Sequence, residues 1–208
     1  MKTFLDFGTN YFGGLNQFIR MLSIDQSWNV HCFEADPYIF AKSHGSQNYD
    51  KLFHHFTHQN VAVFDKDCSV TFNCVKSVRL CNEPGFADGV YLGDFGGSSL
   101  IDRRAEVGSN TVNEVSSVTV RGIDVNRILD ELVERDPSCS IYIKCDIEGA
   151  EYAVLSRLLS SEHLSRINVI YVEWHSRFFA EKAELMRVRE VALKELISSH
   201  GVMMRDWH

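Results

Sequence analysis

The chain has 208 residues, a net charge of −7, and 45% hydrophobic and 24% charged residues, the balance of a soluble globular domain long enough to bury a layered core. The acidic balance excludes a ligand held mainly through phosphates, nucleic acid above all, because that mode needs a basic face; the short run at Asp102, Arg103 and Arg104 is too small to supply one. No apolar run approaches the roughly 20 residues of a membrane span, and six cysteines without a Cys-x-x-Cys pair or a zinc spacing read as reduced thiols of a cytoplasmic protein.

TFLDFG (3–8) predicts a buried first strand. A glycine-punctuated loop follows, then a helix over 15–24 with Leu15, Phe18, Ile19 and Leu22 on one face. WNVHCFEA (28–35) is a second strand, and 36–45 a short helix with Asp36 at its N-cap, Pro37 in its first turn and Gly45 just past its end. FHHFTHQNVAVF (53–64) reads as a third, looser strand. Val75 to Gly122 reads as an insertion, rich in glycine from Gly85 to Ser99 with Phe86, Tyr91 and Phe95 interleaved, and ending on a strand, VSSVTVRGI (115–123). A helix capped by Asp124 leads to CSIYIKCD (139–146), the fourth strand of the main pattern. A helix over 149–161, the strand INVIYVEWH (167–175), a long amphipathic helix over 180–201 and the start of a last strand at Val202 complete the chain. This alternation implies an α/β fold over one domain, 1–208: a mostly parallel, doubly wound sheet flanked by helices, with parallel strands joined by right-handed crossovers.

Ligands of such sheets bind at the carboxyl ends of the strands, and there the sequence concentrates its chemistry. The loop DFGTNYFGGL (6–15) has neither the lysine and hydroxyl of a phosphate-binding loop nor the GxGxxG of a dinucleotide fold, which ranks a nicotinamide oxidoreductase low. Asp6 before the glycines suits a cationic group such as an amino-acid ammonium, unless loop amides satisfy it. Glu34 ends the second strand, 20 residues after Gly14, where an acid accepts from both ribose hydroxyls; as an alternative it charges the N-terminus of the next helix. An adenosine that carries an amino acid and no phosphate is S-adenosylmethionine.

The blocks FLDFGTN, VHCFEADP, VRGIDVNRIL and above all IYIKCDIEGAEYAVL, followed by IYVEWH, resemble the FkbM family of S-adenosylmethionine-dependent methyltransferases over residues 3 to 175. The resemblance implies a Rossmann-like class I methyltransferase fold with its glycine-rich insertion before strand four, and methyl transfer to a hydroxyl oxygen of a glycan or small metabolite. By position, Asp6, Gly8, Thr9 and Asn10 resemble the family's cofactor loop, and Glu34, with Ala35 beside it, its ribose-binding acid. Asn60, Val61, Ala62 and Val63 resemble the segment bordering the adenine, and Asp146 the strand end that faces the methyl group. The family's next loop glycine comes one residue late, as Gly13 after an inserted Tyr11–Phe12 pair. That departure keeps open a second reading, a Rossmann-like binding domain without cofactor or catalysis.

Methyl transfer to a hydroxyl needs a positioned acceptor and a base or a metal. Asp146 and Glu148 follow strand four, and Glu173 and His175 follow strand five, so the two pairs should converge. His175 or Asp146 is expected as the base, with Glu148 positioning the acceptor. Asp146, Glu173 and His175 could instead hold a divalent cation, Mg2+ first. Glu151 is expected to complement the helix dipole and cap free amides, and Lys144 to pack its stem and reach a carboxylate. The Gly85–Ser99 stretch is expected to be an acceptor lid whose aromatics stack on a sugar and whose Ser98 and Ser99 contact it. The apolar stripe of the last long helix could pair two subunits in a homodimer.

Overall fold

The computed structural model describes residues 1–45, 48–80, 90–92 and 111–207. In chain order its elements are β1 (Lys2–Phe7), α1 (Gly13–Leu22), β2 (Trp28–Phe33), α2 (Pro37–Ser43), β3 (His55–Gln59), β4 (Ala62–Phe64), β5 (Cys68–Leu80), β6 (Val90–Leu92), β7 (Thr111–Asp124), α3 (Val125–Arg135), β8 (Ser140–Cys145), α4 (Glu151–Leu158), β9 (Ile167–Val172), α5 (Ala183–Ser199) and β10 (Met203–Asp206). The main sheet has the order β10-β9-β8-β1-β2-β3, and every pairing in it is parallel.

A parallel sheet must be covered on both faces, and the alternation of side chains along β1 shows how. Leu5 and Phe7 join Ile141 and Ile143 of β8 in one core, closed by Leu129 of α3, Val154, Leu155 and Leu158 of α4, and Leu193 and Ile197 of α5. Phe4 faces the opposite way into a second core with Leu15 and Phe18 of α1 and Trp28 and Val30 of β2, its ring 5.2 Å from that of Phe18. Each such side chain contributes about 1.5–3 kcal/mol on burial. The predicted caps hold: the Asp36 carboxylate accepts from the amides of Tyr38 and Ile39, Pro37 opens α2, and Asp124 accepts from Asn126. The fold class is therefore the one expected, an α/β, Rossmann-like architecture. Among the described residues no helix is long and apolar enough to cross a membrane.

Several boundaries differ from the sequence reading. The third strand is broken at Asn60: its side-chain amide donates to the carbonyls of Glu34 (2.8 Å) and Ala35 (3.2 Å), just past the last β2–β3 rung, Glu34 N to Gln59 O. Beyond that break β4 enters a second sheet, of order β4-β7-β5-β6. The insertion also begins earlier than Val75. β5 pairs antiparallel with β7 from Cys68↔Gly122 to Arg79↔Thr111, and its periodicity is weak because only Phe72, Asn73 and Cys74 are buried along its described side chains. The expected lid with Phe86, Phe95, Ser98 and Ser99, and also Cys81, lies outside the described residues, while Tyr91 falls in β6. A 3-10 turn, Ser176–Lys182, precedes α5 and takes the first residues of the helix expected from 180.

At the carboxyl end of the sheet β1 and β8 come together through two residues. Gly8 has φ +80°, and a Cβ there would stand 1.8 Å from the carbonyl oxygen of Asp146, so only glycine fits. Lys144 is 1% exposed. Its Nζ donates to the Gly8 carbonyl at 2.6 Å and lies 3.3 Å from Asp6 Oδ1 and 3.2 Å from Asp146 Oδ2. Burial opposes its ammonium, but the charges of Asp6 and Asp146 outweigh burial and raise its pKa. Burial raises the Asp6 carboxyl pKa in turn, against the pull of Lys144. Removing one member of a buried pair costs about 3–5 kcal/mol, because the partner's charge is left uncompensated. Lys144→Met should lower stability by that amount in urea unfolding, and adding Asp6→Leu should recover part of it. A loss below about 1 kcal/mol would contradict a structural role for the pair.

Candidate functional site

The cavity opens where the sequence placed it, at the carboxyl ends of β1, β2 and β8. Its lining includes Gly8, Asn10, Glu34, Ala35, Val61, Ala62, Asp146 and Glu148, eight of the residues expected to bind cofactor or acceptor. Phe33, Ile39, Val63, Phe72, Ile147 and Ala150 complete it. Phe72 comes from the second sheet, whose pairing the sequence did not reveal, and so no local pattern pointed to it, whereas Val63 ends the 60–63 segment expected beside the adenine. Apolar side chains thus form one part and carboxylates another, as in pockets that hold a flat ring at one end and polar groups at the other.

Glu34 joins the β1 loop to the end of β2 at the cavity. It is 6% exposed; Oε2 accepts from the amide of Asn10 at 2.7 Å and Oε1 from the amide of Asp36 at 2.8 Å. Burial pushes its carboxyl up to about 7 even though both amides favour the charge. Asn10 is held at φ +52°, and the amides of Gly8 and Thr9 both donate to the Phe33 carbonyl, so the β1 loop is fastened to the end of β2. The late glycine has a structural answer: Phe12 takes the left-handed conformation just before α1, at φ 62° and ψ 15°, buried against Tyr49 and His58 with ring centroids 4.9 Å away in each case.

Four expected cofactor contacts are not on the cavity lining. Asp6 is fully buried and faces Lys144, which meets its charge in place of a ligand ammonium. Thr9 is 1% exposed and its hydroxyl donates to the Asp6 carbonyl. Gly13 opens α1 with room for a side chain, since a Cβ there meets nothing within 4 Å. Asn60 holds the Glu34 and Ala35 carbonyls. These residues shape the loops around the cavity.

The expected convergence of the strand-four and strand-five acids does occur, around His175. This histidine is 1% exposed. Its Nε2 lies 3.4 Å from Glu173 Oε1, 3.7 Å from Glu148 Oε2 and 3.9 Å from Asp146 Oδ1. Its Nδ1 is 2.8 Å from Glu151 Oε1. Burial pulls the imidazole pKa down, but the hydrogen bond to Glu151 and the charges of Glu151, Glu148 and Asp146 more than offset this and raise it. Glu148 reaches the group from φ +54°, followed by Gly149 at φ +105°, so the strand-to-helix loop is bent to aim it.

Asp146, Glu148 and His175 bring one donor atom each to within 4.8 Å of one another. Ligands of one ion with bonds of about 2.1 Å stand about 3 Å apart when adjacent and about 4.2 Å when opposite, so an ion would have to draw these three donors inward. Two carboxylates suit Mg2+ or Mn2+, and the imidazole adds affinity for first-row transition ions. Glu148 takes the place in the set that Glu173 was expected to have.

No curated protein and no solved structure gives a match to this chain. The family described as the methyltransferase FkbM domain matches residues 6–201, which include both acid clusters, the glycine loop and Glu34. The chain belongs to the FkbM methyltransferase family.

Proposed function

We propose that the chain is an S-adenosylmethionine-dependent O-methyltransferase acting on a hydroxyl of a glycan or small metabolite. One observation carries the reading: Glu34, a buried carboxylate on the cavity lining, is held ready by two backbone amides at the end of β2. The residues fit the donor. Glu34 is placed for the ribose hydroxyls, the Ile39, Val61, Val63 and Phe72 side for the adenine, and the Asp146 side for the cationic end. S-adenosylmethionine supplies an electrophilic methyl carbon on a positively charged sulfur.

The chain's own part is positioning and proton transfer. Asp146 and Glu148 stand on the cavity lining and meet the acceptor, whereas His175 lies behind them. Asp146 takes the hydroxyl proton, and His175, 3.9 Å away and ringed by carboxylates, is where the positive charge is stored. A cavity floor of this charge disfavours phosphorylated or carboxylated acceptors and favours neutral polyols.

A metal-assisted form of the same reaction is favoured by the mutual approach of Asp146, Glu148 and His175; an ion there would act as a Lewis acid on the acceptor oxygen. The two forms separate on chelation. Methyl transfer is expected to stay within about twofold after dialysis against EDTA if the carboxylate–histidine pair works alone. A loss of tenfold or more that Mn2+ restores assigns the cluster to an ion.

The Glu34 assignment has a pH signature. In the free protein its carboxyl, at about 7, is mostly protonated at pH 6, and this raised value adds stability that is full below the unfolded value of 4.5 and is lost as pH rises through about 7. Asp36 raises it and Lys144 lowers it, each less than burial does. Ribose hydroxyls donate to the ionised form, so donor affinity should rise about tenfold from pH 6 to pH 8, with a proton released on binding at pH 6 and none at pH 8. Glu34→Gln should weaken binding at pH 8 by about 1.5–3 kcal/mol and flatten the pH dependence. Calorimetric titration in buffers of different ionisation enthalpy reads both effects; an unaltered affinity in the variant would place the ribose elsewhere.

A further inference from the structure

We propose that Glu151 is a positioning residue that fixes the ring of His175 with Nδ1–H turned inward and the Nε2 lone pair turned to Asp146, Glu148 and Glu173. The sequence reading gives Glu151 a local task, a charge at the start of α4. Part of that holds: Oε1 accepts from the amides of Ile147 (3.0 Å) and Gly149 (3.1 Å), and Oε2 from Gly149 (3.0 Å). A side chain serving only the helix dipole works from the surface, yet Glu151 is 0% exposed, and the same Oε1 meets His175 Nδ1 from across the gap between α4 and the segment after β9.

The amides decide the tautomer. An oxygen that already accepts from two backbone N–H groups has no proton to give, so His175 Nδ1 must be the donor, and the hydrogen bond on one ring nitrogen sets the state of the other. Nε2 is thereby turned to the side of the three partly exposed carboxylates. Glu151 also holds the loop that carries Glu148, because the two amides it takes flank that residue. One buried carboxylate therefore aligns two members of the acceptor cluster at once, without itself reaching the cavity lining.

The kinetic consequence rests on the methyl-transfer reading. As the acceptor oxygen bonds to the methyl carbon and the carbon–sulfur electron pair stays on sulfur, Asp146 takes the hydroxyl proton, and the ring held by Glu151 keeps its Nε2 edge beside that carboxylate. A ring released from Glu151 would no longer hold that edge in place.

The first test needs no substrate. Long-range 1H–15N NMR of EDTA-treated protein at alkaline pH, where the ring is neutral, should show His175 protonated on Nδ1 and bare on Nε2; an Nε2–H ring overturns the proposal. Glu151→Leu removes the fixed acceptor. It should lower kcat tenfold or more, leave the dissociation constant for S-adenosylmethionine within about twofold, and shift the His175 signals toward the other tautomer. An unchanged kcat, or kcat and binding falling together with the folded fraction, overturns it. Should the variant not fold, the wild-type tautomer still decides. Wild-type protein that binds no S-adenosylmethionine would sink the methyl-transfer reading alone and leave the ring assignment to the NMR result.

Discussion

The ammonium of Lys144 is the constraint on which the site depends. It sits at the end of β8, the strand beside β1 in the sheet, and is met by the Gly8 carbonyl and by the carboxylates of Asp6 and Asp146. A single cation thereby ties the last turn of β1 to the first residue after β8, and the contact is so close that Gly8 cannot carry a side chain. Asp146 is held by one oxygen, which leaves the other directed toward His175. The acidic side of the cavity is thus oriented by a charge that lies under it.

Around this anchor the molecule accepts local cost. Glu34 is buried where water would serve its charge better, and Asn10, Phe12 and Glu148 hold left-handed backbone conformations that cost an L-residue roughly 1–2 kcal/mol each. All of them border the cavity or the loop that shapes it. The two apolar cores on the faces of the sheet supply the stability that offsets them. Strain gathered at one end of an otherwise regular sheet is the pattern of a site whose geometry matters more than local comfort.

The main sheet was legible because its strands are apolar on both faces and its helices carry their own caps, as at Asp36 and Asp124. The end-of-strand acids were legible for the same reason: Glu34 and Asp146 interrupt apolar runs where a parallel sheet ends. The second sheet was not, since β5 exposes much of its length and β4 is only three residues long. Nor could sequence separate Asp6 from Glu34. Both are acids at strand ends, and only the position of Lys144, 138 residues from Asp6 along the chain, turns one inward. Glu151 was read as a local cap because its second partner, His175, belongs to another strand end. Long-range partners decide which acids face the ligand and which serve the frame.

The measurement closest to the central claim is a crystal structure of the protein with S-adenosylhomocysteine, the product that keeps every binding group of the donor. The account expects both ribose hydroxyls on the Glu34 carboxylate, the adenine between Ile39 and the Val61–Val63 edge, and the sulfur on the Asp146 side within reach of Glu148. Ligand density anywhere else, or a ribose that leaves Glu34 bonded to backbone amides alone, would contradict it.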